Sequence, residues 1–257
     1  MQAEKEQTNT FVGFVLLADE TFQAKVVLDE LKNRWAIPTE QLTDTAGESK
    51  EDAPLVLEHD GMMLAIMHID APVPNNEAVL NAQSNYFWPQ AVAVTEKHKA
   101  HLIVSVLGRE HTAYDASIMF TKLCDSCLAL PNSLGVNAFG TVYEPKMYRD
   151  VAKMIDEGET PTPILAYIGV YSTPEGSCAY TFGLTSYNKQ EIEVVNSKQS
   201  LDAVYDMLYG IVGYVIAYDV ILQDGETIGF SEEQKLPITL SPALVKCIEG
   251  DSLKIGF

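Results

Sequence analysis

The sequence predicts an α+β protein whose chain is organised in two halves. Apolar residues make up 47% of the 257-residue chain and charged residues 21%, which is the composition of a globular protein. Short apolar runs alternate with segments in which apolar residues recur at helical spacing. The order of these strands and helices restarts after residue 133, so one half ends there and a second begins.

The elements of the first half follow from apolar runs and turn residues. Residues 11–18 are continuously apolar, as in a strand buried on both faces, and Thr21 is a suitable cap for the helix that follows. Asp60-Gly61 lies between two apolar runs, where an Asp-Gly step is typical of a hairpin turn. The predicted strands are residues 11–18, 55–58, 62–69 and 101–107, and the predicted helices are 22–35, 77–83 and 88–99.

A helix over residues 112–130 leads into the second half. Pro145 suits the first turn of a helix, and Ser200 caps a long helix whose apolar residues fit a 3.6-residue period. Residues 173–176 form a second hairpin turn. The predicted strands are 136–143, 164–172, 178–185 and 252–257, one helix is 145–155, and residues 191–195 form either a short strand or a helix–loop element.

Each half has approximately the order β-α-β-β-α-β, which is the split βαβ pattern of ferredoxin-like folds. The prediction is therefore an α+β, pseudo-symmetric protein with two ferredoxin-like halves, residues 1–133 and 134–257, and antiparallel or mixed sheets. It rests on the order of the elements, because the two halves share no convincing repeat of residues.

Charge and apolar content exclude several classes of protein. With 36 acidic and 17 basic side chains the formal charge is 17 − 36 = −19, which argues against nucleic-acid binding. The N-terminus lacks the pattern of a secretory signal, and the apolar stretch 208–222 is too short to span a bilayer. We expect a cytoplasmic protein that binds neither nucleic acid nor membrane, and four cysteines in this length do not make a disulfide scaffold.

Two short motifs contain residues that can bind metals. Cys124 and Cys127 have the Cys-x-x-Cys spacing, but they fall late in a predicted helix, so burial in the core is the favoured interpretation over redox or zinc chemistry. His98 and His101 flank a predicted helix–strand junction, where hydrogen bonds to the backbone are favoured over a metal site. We therefore predict no metal, no cofactor and no catalytic residues.

An aromatic segment, residues 85–89, lies beside a proline-rich loop, residues 70–76. Aromatic side chains with polar groups form binding pockets or interface anchors, and equally they can fill the space under a hairpin with Asn85 as a cap. The candidate pocket or interface residues are His68, Asn85, Trp88, His98, His101 and Tyr143.

Several segments resemble an uncharacterised bacterial family, domain of unknown function 4261 (DUF4261). The resemblance is closest from about Cys178 to the C-terminus, and it extends to the first half. The segments that carry it are Phe182-Gly183-Leu184, Glu191-Ile192-Glu193, the helix through Tyr214, Asp224-Gly225-Glu226-Thr227-Ile228-Gly229, Asn85-Tyr86-Phe87-Trp88-Pro89, His98-Lys99-Ala100-His101 and Tyr143-Glu144-Pro145. The resemblance implies no established activity. Some members look like neighbours of secreted polymorphic toxins, which implies an immunity role by association.

Three functions remain open, in this order. The first is a non-enzymatic protein-binding module, most concretely an immunity protein that masks a basic toxin domain, since an acidic surface speeds association with a cationic partner. The second is an enzyme or a sensor of a small ligand or metal, with a pocket between the two halves. The third is a structural subunit that works as a homodimer, which an exposed apolar patch would support.

Overall fold

The computed structural model describes residues 9–39 and 54–257, and it divides the chain into two compact units, residues 1–159 and 160–257. Each unit is built on one six-stranded sheet. The described residues form six α-helices, five in the first unit and one in the second. The predicted α+β class is confirmed.

The sheet of the first unit is antiparallel throughout and has the strand order β2-β3-β4-β1-β5-β6. Its strands are β1 Thr10–Leu17, β2 Leu55–His59, β3 Met62–Ile69, β4 Ala100–Leu107, β5 Ser133–Ala138 and β6 Thr141–Tyr143. The helices of this unit are α1 Ala24–Trp35, α2 Glu77–Gln83, α3 Ala91–Thr95, α4 Ala113–Cys127 and α5 Pro145–Ala152.

Helices pack on both faces of the first sheet. On one face, α4 lies against β1 and β4, and Gly13 allows close contact, because a Cβ there would lie 2.8 Å from Phe120 Cζ. On the other face, the short helices α2 and α3 cover one end of the sheet. The apolar cluster that joins them to the strands contains Leu16, Val73, Ala78, Ala82, Ala91 and Val142.

The sheet of the second unit is mixed and has the strand order β10-β11-β12-β9-β8-β7, in which only β9 and β12 pair in parallel. Its elements are β7 Tyr167–Thr173, β8 Gly176–Phe182, β9 Ile192–Ser197, helix α6 Leu201–Ala217, β10 Thr227–Ile228, β11 Leu236–Pro242 and β12 Asp251–Ile255. Helix α6 packs on β7 and β8. As predicted, Ser200 caps it: Ser200 Oγ accepts a hydrogen bond of 3.2 Å from the Ala203 amide.

The ferredoxin-like description of the halves is not confirmed. A β-α-β-β-α-β half supplies four strands, whereas each observed sheet has six. The second unit has three strands on either side of one α-helix, so the element order does not repeat. The coarser prediction of antiparallel and mixed sheets is correct.

The chain divides after residue 159, whereas the sequence pattern placed the boundary after residue 133. The reason is the pairing of residues 133–143. Phe139 and Gly140 have φ angles of 50° and 67°, which turn the chain between β5 and β6. The resulting hairpin pairs with β1, so these strands extend the first sheet.

Other local predictions also changed. Gln23 precedes α1 without a side-chain cap, so Thr21 does not cap that helix, and residues 88–99 contain only the short helix α3. Strand β11 was not predicted. Among the residues that the structure describes, none of the helices combines the length and apolar character that a bilayer crossing requires.

Candidate functional site

The six predicted site residues all lie in the first unit, but on opposite faces of its sheet. His101 pairs with both Leu16 and Ile69, so these three side chains share the face that carries α2 and α3. Successive side chains of a strand point to opposite faces, so His68 lies on the other face. By the same alternation Tyr143 lies opposite Val142, which belongs to the α2–α3 cluster. The structure therefore separates His68 and Tyr143 from His101.

His98 and His101 fasten the proline-rich loop to the end of the sheet. His98 Nε2 accepts a hydrogen bond of 2.9 Å from the Val73 amide, and its Nδ1 lies 2.5 Å from the Thr95 carbonyl oxygen. His101 Nδ1 lies 2.7 Å from the carbonyl oxygen of Ala71. These partners make Nδ1 of each ring the donor. Burial lowers the pKa of His101, against the hydrogen bond to Ala71. Both imidazoles form hydrogen bonds with backbone groups, as the favoured interpretation predicted.

His68 and Tyr143 make aromatic contacts on the opposite face. The His68 ring stacks on Phe22 with 5.5 Å between ring centroids, and its buried Nε2 has no hydrogen-bond partner among the described residues. Tyr143 packs edge-on against Tyr148 at 5.8 Å. Within the described parts of the chain, no group of three His, Cys, Asp or Glu side chains is arranged to hold a metal ion.

Asn85 shapes the aromatic segment. Its Nδ2 donates to the Val142 carbonyl oxygen at 2.8 Å, and its Oδ1 accepts from the amides of Phe87 and Trp88, each at 2.9 Å. Trp88 packs against the α2–α3 cluster, whereas Tyr86 and Phe87 are each 54% exposed. Asn85 therefore caps a turn before α3, and this turn presents two aromatic rings outward.

The Cys-x-x-Cys pair lies within the hydrophobic core. Cys124 and Cys127 are fully buried near the end of α4. Burial raises the pKa of both thiols above their usual range, which disfavours the reactive thiolate. The prediction of two buried core cysteines is confirmed.

Between these cysteines lies a buried carboxylate that the sequence did not single out. Asp125 has no exposed surface and lies 2.8 Å from Arg34 Nε and 3.2 Å from Arg149 Nε. Trp35 Nε1 also donates to it, at 3.1 Å. Burial raises the pKa of Asp125, and the two guanidinium groups oppose that rise. Since its partners come from α1 and α5, this cluster ties three helices together, and no local pattern could predict it.

Two buried carboxylates organise the second unit. Glu191 accepts hydrogen bonds from Thr181 Oγ1 at 2.6 Å and from the Gly183 amide at 2.8 Å, and burial raises its pKa. Glu193 accepts from Ser252 Oγ at 2.5 Å and lies 2.7 Å from Lys254 Nζ. Burial alone would raise the pKa of Glu193, but these contacts outweigh it and lower that pKa. The partners come from the protein itself, so both residues are structural.

The second unit exposes an apolar surface beside α6, which we call the α6 surface. A cavity of about 850 Å³ separates α6 from residues 220–230. Phe230 lies over Gly210, where a Cβ would be 2.8 Å from the ring. Three large exposed side chains define the α6 surface together with this cavity: Tyr214 and Phe230 line it, and Tyr218 packs against Tyr214 with 5.6 Å between ring centroids.

The segment that forms the α6 surface is rich in carboxylates. Residues 201–234 contain seven Asp or Glu residues and no Lys or Arg. Asp224, Glu226, Glu232 and Glu233 are all exposed, and Asp219 is exposed but paired with Lys189 at 2.8 Å. Apolar contact area and negative charge therefore coincide, and the sequence analysis did not identify this surface. The sequence feature that could have indicated this surface is the run of aromatic and acidic residues after Gly210.

The first unit also exposes part of its sheet, on the face that α2 and α3 cover only at one end. We call this part the open face. Val12 is 54% exposed, Val56 47%, Met63 36% and Met67 41%. The pairing register places all four on one face of β1, β2 and β3. The open face consists of Val12, Val56, Met63, Ala65, Met67, Ile103, Ser105 and Leu107.

Comparison with known families supports the resemblance seen in the C-terminal part of the sequence. The family described as Domain of unknown function (DUF4261) matches residues 180–255, from the middle of β8 to the end of β12. No curated protein and no solved structure matches the chain. The match includes α6, residues 220–230 and both buried glutamates. The chain is therefore a DUF4261-containing protein.

Proposed function

We propose that this chain is a cytoplasmic, non-enzymatic binding module that recognises a basic protein through the α6 surface. The coincidence of a partly apolar cavity and exposed aromatic rings with a segment that has seven carboxylates and no Lys or Arg carries the proposal. Negative charge accelerates encounter with a cationic partner and rejects acidic ones, while aromatic side chains supply contact energy. Most concretely, the partner is a basic toxin domain and the chain is its immunity protein.

The exposed aromatic residues act as anchors in this proposal. Tyr218 is 75% exposed and Phe230 60% exposed, although Tyr218 packs against Tyr214 and Phe230 lies over Gly210. Large aromatic side chains dominate the energy of many interfaces because they bury much area at little cost in conformational entropy. The surrounding acids then determine the rate of association and the choice of partner.

The test starts with a tagged protein captured from the organism that encodes it, followed by purification of any stoichiometric basic partner. We expect Tyr218→Ala and Phe230→Ala each to weaken binding of that partner at least about tenfold, equivalent to about 1.4 kcal/mol. Leu244→Ala is the matched control, since Leu244 is 61% exposed in the same unit but outside the α6 surface. Its affinity should stay at the wild-type value.

Two results decide the proposal. Coexpression with this chain should restore growth to cells that produce the partner, and the Tyr218→Ala variant should restore it less. The use of the α6 surface would be contradicted if the partner were acidic or neutral. It would also be contradicted if a basic partner bound both aromatic variants as tightly as the wild type.

A small-ligand function is the second candidate, and one observation favours it. The cavity of about 850 Å³ lies in the size range of small-molecule pockets. Its lining combines polar and apolar surface, with Glu226 as its charged residue, so a cationic ligand with an apolar part would fit. Native mass spectrometry of the purified protein tests this candidate, because a bound molecule released by Phe230→Ala would favour it over the protein partner.

A further inference from the structure

We infer that the open face of the first sheet binds a second copy of this chain. The inference goes beyond the proposed function, which uses the second unit. The open face is apolar across four neighbouring strands, and its most exposed positions are Val12, Val56, Met63 and Met67. Contiguous exposed apolar surface of this kind marks interaction sites in soluble proteins. Methionine side chains suit such a site, because they adapt to the shape of the partner.

The described helices of the first unit cover this face only at one end. Helices α2 and α3 have seven and five residues and pack at one end of the sheet. At their edge, Asn81 Nδ2 donates to Asn137 Oδ1 at 2.9 Å. The described elements around it therefore leave these apolar side chains exposed.

The near absence of charge on the open face favours a second copy of the chain over a basic protein as its partner. Two copies that each carry a formal charge of −19 repel one another, so they can meet stably only where carboxylates are absent. Among residues of β1–β4 on this face, Glu58 is the one charged side chain, and Arg109 pairs with it at 3.6 Å. A basic partner would instead favour acidic surroundings such as those of the α6 surface.

The geometry of the face suits a symmetric contact. Two sheets pack face to face about 10 Å apart when their facing side chains interdigitate. A two-fold axis would bring the same apolar residues of both copies together. A stable interface needs about 800 Å² from each partner. Tyr86 and Phe87 belong to the connection between α2 and α3, which packs on this face, and their exposed rings extend the apolar area.

Sedimentation velocity over a range of concentrations measures the mass of the protein in solution and so tests the inference. We expect a dimer with a dissociation constant of about 1 μM or lower. Met63→Glu and Met67→Glu should each raise that constant at least about tenfold, because each buries a carboxylate in an apolar contact. Leu244→Glu is the control and should leave the dimer intact, since Leu244 lies in the second unit.

A second measurement needs no variant and so avoids any loss of folding. Met63 and Met67 should oxidise more slowly with hydrogen peroxide at concentrations above the dissociation constant than below it. A monomer at about 100 μM, or a dimer that persists in folded Met67→Glu, would overturn the inference. Dissociation caused by Tyr218→Ala would also overturn it, since the contact would then be at the α6 surface.

Discussion

Asp125 shows how much one buried side chain can contribute to the first unit. It has no exposed surface, and its carboxylate lies between the guanidinium groups of Arg34 and Arg149. Asp125→Ala should therefore lower the free energy of unfolding by about 3 kcal/mol, because two cations would lose their buried partner. Urea denaturation measures this loss. Asp150→Ala is the control: Asp150 also pairs with two cations, Lys146 and Lys153, but in solvent, so its loss should be much smaller.

Glu191 and Glu193 should give the stability of the second unit opposite dependences on pH. The pKa of Glu193 is lowered in the folded state, so its contribution is present above its ordinary pKa and is lost as pH falls through the folded value. The pKa of Glu191 is raised, so its contribution is present below its ordinary pKa and is lost as pH rises through the folded value.

The corresponding variants measure these two contributions. The free energy of unfolding of wild type minus that of Glu193→Gln should shrink as pH falls from about 7 to about 3. The same difference for Glu191→Gln should grow over that range. Denaturation curves at several pH values provide both differences, and slopes of equal sign would show that one of the two hydrogen-bond networks is incorrectly assigned.

At the scale of the element, a substitution of Gly210 should change partner binding at the α6 surface without lowering the stability of α6. Alanine at a helix interior position is more favourable than glycine by about 1 kcal/mol. However, a Cβ at residue 210 would lie 2.8 Å from the Phe230 ring, which is exposed and able to move aside. Gly210→Ala should therefore leave the unfolding free energy equal or higher, while it displaces Phe230 and weakens partner binding.

Isothermal titration calorimetry measures the partner affinity of Gly210→Ala, and thermal unfolding of the free protein measures its stability. The matched control is Gly213→Ala, in the same helix, where the nearest atom is 3.0 Å away and belongs to Thr162, so Phe230 is not disturbed. Equal affinities of Gly210→Ala and wild type would show that the position of Phe230 does not matter for binding.

Elements with strong local signals could be predicted from the sequence. Asp60 and Gly61 have φ angles of 50° and 75°, which the Asp-Gly step indicated, and Ser200 caps α6 as expected. Buried cysteines in α4 followed from their position in an apolar helix. These features depend on neighbours within a few residues, which is why the sequence alone was sufficient.

Pairing between distant segments could not be predicted in the same way. Residues 136–143 were predicted as one strand, whereas Phe139 and Gly140 turn the chain there, and β1, the partner of β5, lies more than 100 residues away in sequence. How the candidate site residues are grouped depends on the same kind of pairing. His68 and His101 look like neighbours in a list of polar residues, yet the register of β3 and β4 places them on opposite faces. The α6 surface likewise depends on how residues 220–230 pack beside the helix.

At the scale of the whole molecule, the charge of −19 should make the two proposed associations respond to salt in opposite directions. Raising salt from about 0.1 M to about 1 M shortens the Debye length from about 10 Å to about 3 Å. Binding of a basic partner at the α6 surface should weaken, because attraction between opposite charges is screened. Self-association through the uncharged open face should strengthen, because repulsion between two acidic copies is screened by the same ions.

Affinity measurements of both associations across this salt range test the prediction, and acidic variants localise the effect. Glu232→Gln with Glu233→Gln should reduce the salt dependence of partner binding, since both exposed carboxylates lie near the α6 surface in sequence. Tyr218→Ala should lower affinity at every salt concentration and leave the slope unchanged, because it removes contact area and no charge. If both associations weakened with salt, the open face would be binding through charge, and its assignment to a second acidic copy would be wrong.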